Sequence, residues 1–140
     1  MQIRVKKLDN SRKDISYAKE GDAGFDLYAR EEVILSPGEH ASIATGIALE
    51  IPEGYVGLIW DKSGLSINST LKTLGGVVDS GFRGEVMVGM INLGSSPYIF
   101  AKGDKVAQML IQKVEQASFQ IVETLSESHR GETGFGSSGK

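Results

Sequence analysis

Short stretches of alternating apolar and polar residues follow one another along the chain, separated by turn-forming residues at close intervals. Pro, Gly, Ser or Asp cluster at 36–38, 52–54, 94–97 and 102–104, where turns are expected. The stretches between these turns have the alternation or the β-branched content of strands. The sequence therefore predicts strands at 3–8, 32–35, 41–44, 47–51, 55–60, 71–78, 85–92, 98–101, 105–114 and 118–124.

Helical character is weak by comparison, and only residues 63–70 favour a helix of one or two turns. Many short strands without long alternating helices indicate an all-β fold, arranged as a sandwich, a jelly roll or a barrel. The 140 residues suffice for one domain, and 40% hydrophobic and 24% charged residues are ordinary for a globular chain. The strand pattern stops near Ser126, so we expect a β domain at 1–125 and a flexible arm at 126–140.

The charge balance restricts the classes of partner. A net charge of −3 argues against a nucleic-acid partner, whose binding surface is usually basic. It leaves room for a small polyanion held by a few cations, backbone amides and a metal ion. The chain has no cysteine and no apolar run of membrane-spanning length. We therefore expect no membrane partner and a cytoplasmic or equivalent intracellular location.

Four internal segments place polar groups where the strand pattern is interrupted. In 23–29, Asp26 alternates with apolar residues, and a buried carboxylate needs a compensating cation. In 60–66, the run Lys62, Ser63 and Gly64 offers an ammonium group, a hydroxyl and an accessible backbone amide, which suits an anion. A structural ion pair and an ordinary turn are the alternatives for these two segments.

The third and fourth segments add a carboxylate and an amide. Residues 75–85 predict a β-hairpin whose turn spans 79–84, with glycines that let the backbone approach a planar ligand. Asp79 near an aromatic ring suits a site for a base and a water, although turn chemistry also explains an Asp there. In 102–110, Gln108 lies between apolar residues, so its amide either serves the fold or holds a phosphate or a water.

The chain end at 130–140 carries one guanidinium, one aromatic ring and two serine hydroxyls among many glycines. These groups suit a cover over a nucleotide, with a ring for the base and Arg and Ser for phosphates. A solvated tail is the alternative for a terminus of this composition.

Taken in order, these segments resemble the five motifs of the trimeric dUTP diphosphatases (dUTPases). Residues 23–29 resemble the first motif, 62–64 the second, 76–85 the third, 103–110 the fourth and 130–139 the fifth. The resemblance implies a distorted jelly-roll, or β-clip, barrel that forms a homotrimer, with the arm of one protomer closing a site built by the other two. It implies Mg²⁺-dependent hydrolysis of dUTP to dUMP and pyrophosphate, which limits uracil in DNA and supplies dUMP for thymidylate synthesis.

The resemblance also implies a role for each matching residue. Asp79 resembles the carboxylate that orients and deprotonates the attacking water, and Asp26 resembles the one that holds the metal through its water shell. The remaining residues are expected to bind substrate. The phosphates are expected to contact Lys62, Ser63, Gly64 and Gln108, and the distal phosphates Arg130, Ser137 and Ser138. The uracil is expected to contact Gly75, Gly76, Val77, Val78 and Met87, with Phe135 and Gly136 covering it as a lid, and the deoxyribose is expected to pack on Phe82.

Three positions depart from the usual motifs of the family. Lys62 stands where Arg is usual, Phe82 where Tyr is usual, and Thr133 where the fifth motif often has Gly. Lysine is a point charge and not a bidentate fork, so its clamp on a phosphate differs from that of arginine. Two other functions fit the same fold: a dCTP deaminase, which needs a general-base Glu, and a nucleotide sensor or protein-binding module without catalysis.

Overall fold

Antiparallel strands make up nearly all the regular structure in the computed structural model, which describes residues 1–8, 14–129 and 131. The only helix within these residues is α1 (Ser63–Ser69), at the predicted place. The strands are β1 (Arg4–Lys7), β2 (Gly24–Tyr28), β3 (Val33–Leu35), β4 (His40–Ala44), β5 (Ile47–Glu50), β6 (Tyr55–Trp60), β7 (Leu71–Leu74), β8 (Val77–Val78), β9 (Met87–Asn92), β10 (Tyr98–Phe100) and β11 (Lys105–Lys113).

The strands form four small sheets, which confirms the all-β prediction. The largest sheet has the order β2-β11-β6-β8, and a second has the order β4-β9-β7. The strand pairs β1-β5 and β3-β10 form the other two sheets. Every pairing is antiparallel, and the three inner strands β11, β6 and β9 each pair with a neighbour on both sides.

One apolar core joins the sheets, because the inward side chains of the alternating stretches meet in it. Burial of each large side chain stabilises the fold by about 1.5–3 kcal/mol. The most deeply buried side chains, each 0–1% exposed, include Leu27, Ile43, Val88, Phe100, Val106 and Met109.

Asn92 is a fully buried polar residue in this core, at the end of β9. Its Nδ2 donates to the carbonyl oxygens of Leu35 at 2.9 Å and Ser96 at 2.8 Å. Its Oδ1 accepts from the N–H of Gly94 at 2.9 Å. Since the amide makes these three bonds, it ties β3 and the 93–97 loop to the second sheet without an unpaired polar group.

The prediction of one strand at 71–78 is wrong. Gly75 and Gly76 have φ angles of 69° and 114°, a backbone conformation that favours glycine, and they divide this stretch into β7 and β8. β7 pairs with β9, while β8 pairs with β6 in another sheet. Alternation by itself does not show this break, because both halves retain strand character.

The predicted hairpin around 79–84 is also wrong. β8 and β9 lie in different sheets, so the segment between them crosses from one sheet to the other. Backbone bonds hold its far end, where the N–H of Val86 donates to the carbonyl of Ile47 at 2.8 Å. The chain does turn in this segment, but the strands on either side of the turn, β8 and β9, do not pair with each other.

The predicted strand at 118–124 is absent from the described structure, where the chain leaves the sheets after β11. Phe119 is 93% exposed and Ile121 is 100% exposed. A strand needs a neighbour for its backbone groups, and no strand of the described residues lies beside this segment. No helix within the described residues has the length and apolar character needed to cross a membrane.

Candidate active site

A cavity of about 510 Å³ opens where β2, β6 and β11 lie side by side; we call it the Asp26 pocket. The register places Asp26 opposite Gln108 and Gln108 opposite Trp60, so three polar or aromatic side chains form a row across the sheet. The side chains of Lys62 and Lys105 also line the pocket. The pocket is therefore lined by three carboxylates (Asp22, Asp26 and Asp61), two ammonium groups, an amide and an indole, and Asp26 pairs with both ammonium groups.

Asp26 forms the centre of this pocket, with a side chain only 7% exposed. Its Oδ1 accepts from Nζ of Lys62 at 2.5 Å, and its Oδ2 pairs with Nζ of Lys105 at 2.6 Å. Burial raises the pKa of Asp26, but the hydrogen bonds and charges of Lys105 and Lys62 outweigh burial and lower it overall. Asp26 is therefore charged at neutral pH, as expected for a buried carboxylate with cations beside it.

Asp61 holds the segment that carries Lys62. Its Oδ1 accepts from both the N–H and the hydroxyl of Thr73 at 2.7 Å, and its Oδ2 accepts from Lys72 at 2.5 Å. Burial raises the pKa of Asp61, yet the bonds from Lys72 and Thr73 lower it overall. Gln108 Nε2 donates to the carbonyl of Asp61 at 2.9 Å, so the predicted phosphate ligand Gln108 also fixes the start of α1.

Lys62 precedes the first helical residue of α1, with extended φ and ψ angles. Ser63 and Gly64 follow it in the first turn, where both are exposed. The predicted anion-binding run thus lies beside the Asp26 pocket, with its ammonium group turned inward to the carboxylate.

A second cavity, of about 220 Å³, is lined by residues of the third predicted motif; we call it the Asp79 pocket. It brings together Val77, Val78, Asp79, Phe82 and Met87, all of which the sequence predicted to contact the substrate or the water. β8 is the last strand of its sheet, so one edge of its backbone faces away from β6. An edge strand beside a carboxylate and an aromatic ring can offer backbone donors and acceptors to a planar ligand.

Two glycines give the Asp79 pocket its shape. A Cβ on Gly76 would lie 2.8 Å from the carbonyl oxygen of Ile59, a distance so short that the backbone would have to shift. A Cβ on Gly84 would lie 2.6 Å from the ring of Phe82. Gly76 thus lets β8 pack against β6, and Gly84 lets the Phe82 ring approach the backbone closely.

Glu85 anchors the segment that carries Asp79, and the sequence did not predict this. Its Oε1 accepts from the N–H of Gly46 at 2.6 Å, and its Oε2 pairs with Arg30 at 3.2 Å. The neighbouring carbonyl of Val86 accepts from the hydroxyl of Thr45 at 2.6 Å. These bonds fix the end of the 79–86 segment against the 44–47 turn.

The two pockets have no described lining residue in common. Asp26 and Trp60 lie at the same level across the sheet. Val78 lies opposite Gly57, three residues before Trp60, and its strand β8 is the third strand from β2. At the usual strand spacing and rise, the Cα atoms of Asp26 and Val78 are about 18 Å apart. The structure therefore gathers the predicted residues into two separate groups within one chain.

Some predicted residues do not line either pocket. Gly75 and Gly76 shape β8 from outside the Asp79 pocket, and Ser63 and Gly64 lie beside the Asp26 pocket. The predicted residues Arg130, Phe135, Gly136, Ser137 and Ser138 lie outside the described residues.

Lys105 and Trp60 line the Asp26 pocket although the sequence did not mark either as a site residue. Lys105 is the first residue of β11, and its charge was one of many in the chain. Trp60 is 55% exposed in spite of its large apolar ring. The single tryptophan of the chain, two residues before Lys62, is the sequence signal that could have identified this wall.

The donor set fits a magnesium ion held mainly by water and phosphate. No group of three or more His, Cys, Asp or Glu residues within the described ranges could hold a metal by itself. Mg²⁺ keeps several waters and uses one or two carboxylates together with substrate phosphates. Asp26 supplies such a carboxylate in the Asp26 pocket.

A sequence model of the dUTPase family matches residues 10–139. The chain belongs to the dUTPase family. It is 42% identical over 142 residues to the deoxyuridine 5'-triphosphate nucleotidohydrolase of Thermobifida fusca, covering 99% of this chain and 79% of that relative.

Solved structures of the family agree with the fold. The chain resembles the dUTPase of Staphylococcus bacteriophage 80alpha with dUPNHPP, with a TM-score of 0.93, 31% identity and 99% of both chains covered. It also resembles a mutant dUTPase of phage phi11 of S. aureus, described with a structural Mg(II) ion, with a TM-score of 0.82, 27% identity and coverage of 89% and 98%. The expected jelly-roll-like arrangement of the family is thereby confirmed.

Proposed function

We propose that the chain hydrolyses dUTP to dUMP and pyrophosphate, by attack on the α-phosphate of a water that Asp79 orients and deprotonates. Asp79 is exposed in a pocket with Phe82 and the edge of β8, which supports this role because a base must reach its water. The observation that carries the proposal is this grouping of third-motif residues in a chain of the dUTPase family.

Backbone groups of β8 discriminate the base in this proposal. A pyrimidine laid along the edge of Val77 and Val78 would exchange hydrogen bonds with N–H and C=O groups that have fixed positions. Cytosine reverses the donor and acceptor at the 4-position, so the same edge leaves polar groups unpaired. Phe82, 45% exposed, supplies a flat wall for a deoxyribose and leaves no space for a 2′-hydroxyl.

The Asp26 pocket binds the phosphates. Lys62 and Gln108 line this pocket, and Ser63 and Gly64 lie beside it in the first turn of α1. The two side chains, the Ser63 hydroxyl and the Gly64 N–H would offer donors to phosphate oxygens. Asp26 would hold the water shell of Mg²⁺. When bound, that ion supplies positive charge to the triphosphate and orients the leaving pyrophosphate.

The protein is proposed to act as a homotrimer in which the Asp26 pocket of one protomer faces the Asp79 pocket of another. The separation of about 18 Å between the two groups supports this arrangement, since a pocket of 220 Å³ is small for a nucleotide. The exposed apolar residues Phe119, Ile121 and Leu125 also favour a neighbouring chain that covers them. The arm at 126–140 then closes the site from a third protomer.

Pyrophosphate release from dUTP, dCTP, dTTP and UTP tests the reaction. We expect turnover with dUTP only, and an Asp79→Asn variant should lose about 1,000-fold in kcat because the water loses its base. The analogue dUpNHpp should still bind to that variant. The exposed Asp14→Asn variant is the matched control and should keep the parental rate, while an active Asp79→Asn variant would contradict the mechanism.

Mixed trimers test the shared site. Co-expression of Asp79→Asn and Asp26→Asn chains should restore activity to about one quarter of the parental level, because random assembly leaves that fraction of sites with both carboxylates. Each variant expressed separately should be strongly impaired. Mixed trimers with no gain over the separate variants would place both pockets of one site in a single chain.

A further inference from the structure

Each carboxylate oxygen of Asp26 pairs with a different lysine, and the two lysines come from different parts of the chain. Lys62 follows β6 and pairs with Oδ1 at 2.5 Å, while Lys105 begins β11 and pairs with Oδ2 at 2.6 Å. The three groups carry a formal charge of −1 + 2 = +1. A substrate phosphate that draws the Lys62 ammonium away from Asp26 would remove one of the two partners of a nearly buried carboxylate.

The backbone contains a feature that directs Lys105 toward Asp26. Gln108 lies opposite Asp26, and Lys105 lies opposite Tyr28, two residues further along β2. Lys105 and Gln108 are three residues apart, so in a regular strand their side chains would point to opposite faces. A register shift between Lys105 and Ala107 inserts one residue and returns Lys105 to the face of Asp26.

We propose that Lys105 is a positioning residue for the hydrolysis, which holds Asp26 in its orientation while Lys62 moves from Asp26 to a substrate phosphate. The inference rests on the proposed function, because it assigns Lys62 to the phosphates. Lys105 stays with Oδ2, and the released Oδ1 would be the oxygen of Asp26 that is available to the water shell of Mg²⁺.

The exchange depends on the second lysine for a physical reason. A carboxylate that is 7% exposed has little access to water, so loss of its last cationic partner is unfavourable. If Lys105 were missing, Lys62 would be the only cation on Asp26 and would resist transfer to phosphate. Lys105 thus lowers the free energy needed to release Lys62 without touching the substrate.

Double-mutant binding measurements test this role without turnover. The chain has a single tryptophan, and Trp60 lines the Asp26 pocket, so its fluorescence reports binding of dUpNHpp. In EDTA, Lys105→Met should weaken that binding about tenfold in the parental chain but less than about threefold in an Asp26→Asn background. In that background no carboxylate retains Lys62, so the second lysine has nothing left to release.

The control variants separate this role from other effects. Lys105→Arg should restore binding to within about threefold of the parental value, because a cation again holds Oδ2. Lys113→Met, an exposed change at the far end of β11, should leave binding unaltered. If Lys105→Met does not fold by circular dichroism, Lys105→Gln replaces it in the same cycle, since its amide can still donate to Oδ2.

Two results would overturn the inference. An equal loss in both backgrounds would mean that Lys105 binds phosphate directly, and no loss in either would mean that it does not assist Lys62. A parental protein that neither binds dUpNHpp nor hydrolyses dUTP would instead contradict the proposed function. An active parental protein with an additive cycle contradicts the role of Lys105 only.

Discussion

The Asp26 pocket and the Asp79 pocket are built by different means. In the first, side-chain charges hold one another: Asp26 has two lysines, and Asp61 has Lys72 and Thr73. In the second, the backbone determines the shape, through Gly76 against β6 and Gly84 close to the Phe82 ring. A pocket made of charges responds to pH and to the type of cation, whereas a pocket made of backbone responds to a single added methyl group.

The largest effect is expected from Gly76→Ala, which disturbs the backbone that shapes the Asp79 pocket. The new Cβ would lie 2.8 Å from the Ile59 carbonyl at a φ of 114°, so β8 must leave β6. We expect a loss of about 3 kcal/mol in the free energy of unfolding, measured with urea, and a large fall in dUTP turnover.

Gly81→Ala is the matched control for this change, in the segment that follows β8. A Cβ on Gly81 meets no atom within 4 Å, so its stability should stay within about 0.5 kcal/mol of the parental value. Parental stability of Gly76→Ala would show that the contact between β8 and β6 does not require a glycine.

A smaller effect should appear in the pH dependence of the charged side. The pKa of Asp61 is lowered in the folded chain, so its stabilising contribution is present above its unfolded pKa of about 4 and disappears as the pH falls through the folded value. Between pH 7 and pH 3 the parental protein should lose about 1 kcal/mol more than Asp61→Asn does, measured by urea unfolding at each pH. Glu115→Gln in the exposed tail serves as the control, and identical pH curves for Asp61→Asn and the parental chain would refute the role of Asp61.

The smallest effect is expected from Lys62→Arg, which keeps the charge and changes its geometry. Arginine can bind a phosphate with two parallel bonds, so kcat/KM for dUTP should stay within about threefold of the parental value or rise above it. Steady-state kinetics with Lys113→Arg as the control give the comparison. A loss of more than about tenfold would show that the pocket is organised around a lysine at this position.

The strand pattern was sufficient to predict the fold class, most strands and the helix at 63–70, because each of these depends on local periodicity. The pattern failed where the outcome depends on distant partners. Residues 71–78 keep their alternation through Gly75 and Gly76, but the two halves of this stretch pair with strands of two different sheets. Residues 118–124 alternate like a strand, and no neighbouring strand of the described chain pairs with them.

The candidate site shows the same limit. Asp26, Lys62 and Asp79 could be identified from residue types and order, and the structure places each of them at a pocket. Lys105 could not, because its face depends on one residue inserted in β11, which no periodicity in the sequence reveals. The anchoring role of Glu85 could not be predicted for a similar reason, since its partner Arg30 is 55 positions away in the chain.

The position of β8 at the end of its sheet has a further consequence, for the solubility of the chain. The open edge proposed to recognise the base is also the kind of edge to which a strand from another molecule can attach and begin aggregation. β8 is only two residues long, bounded by two left-handed glycines before it and by the negative charge of Asp79 after it. The residues that shape the site therefore also leave too short an edge for a foreign strand to extend.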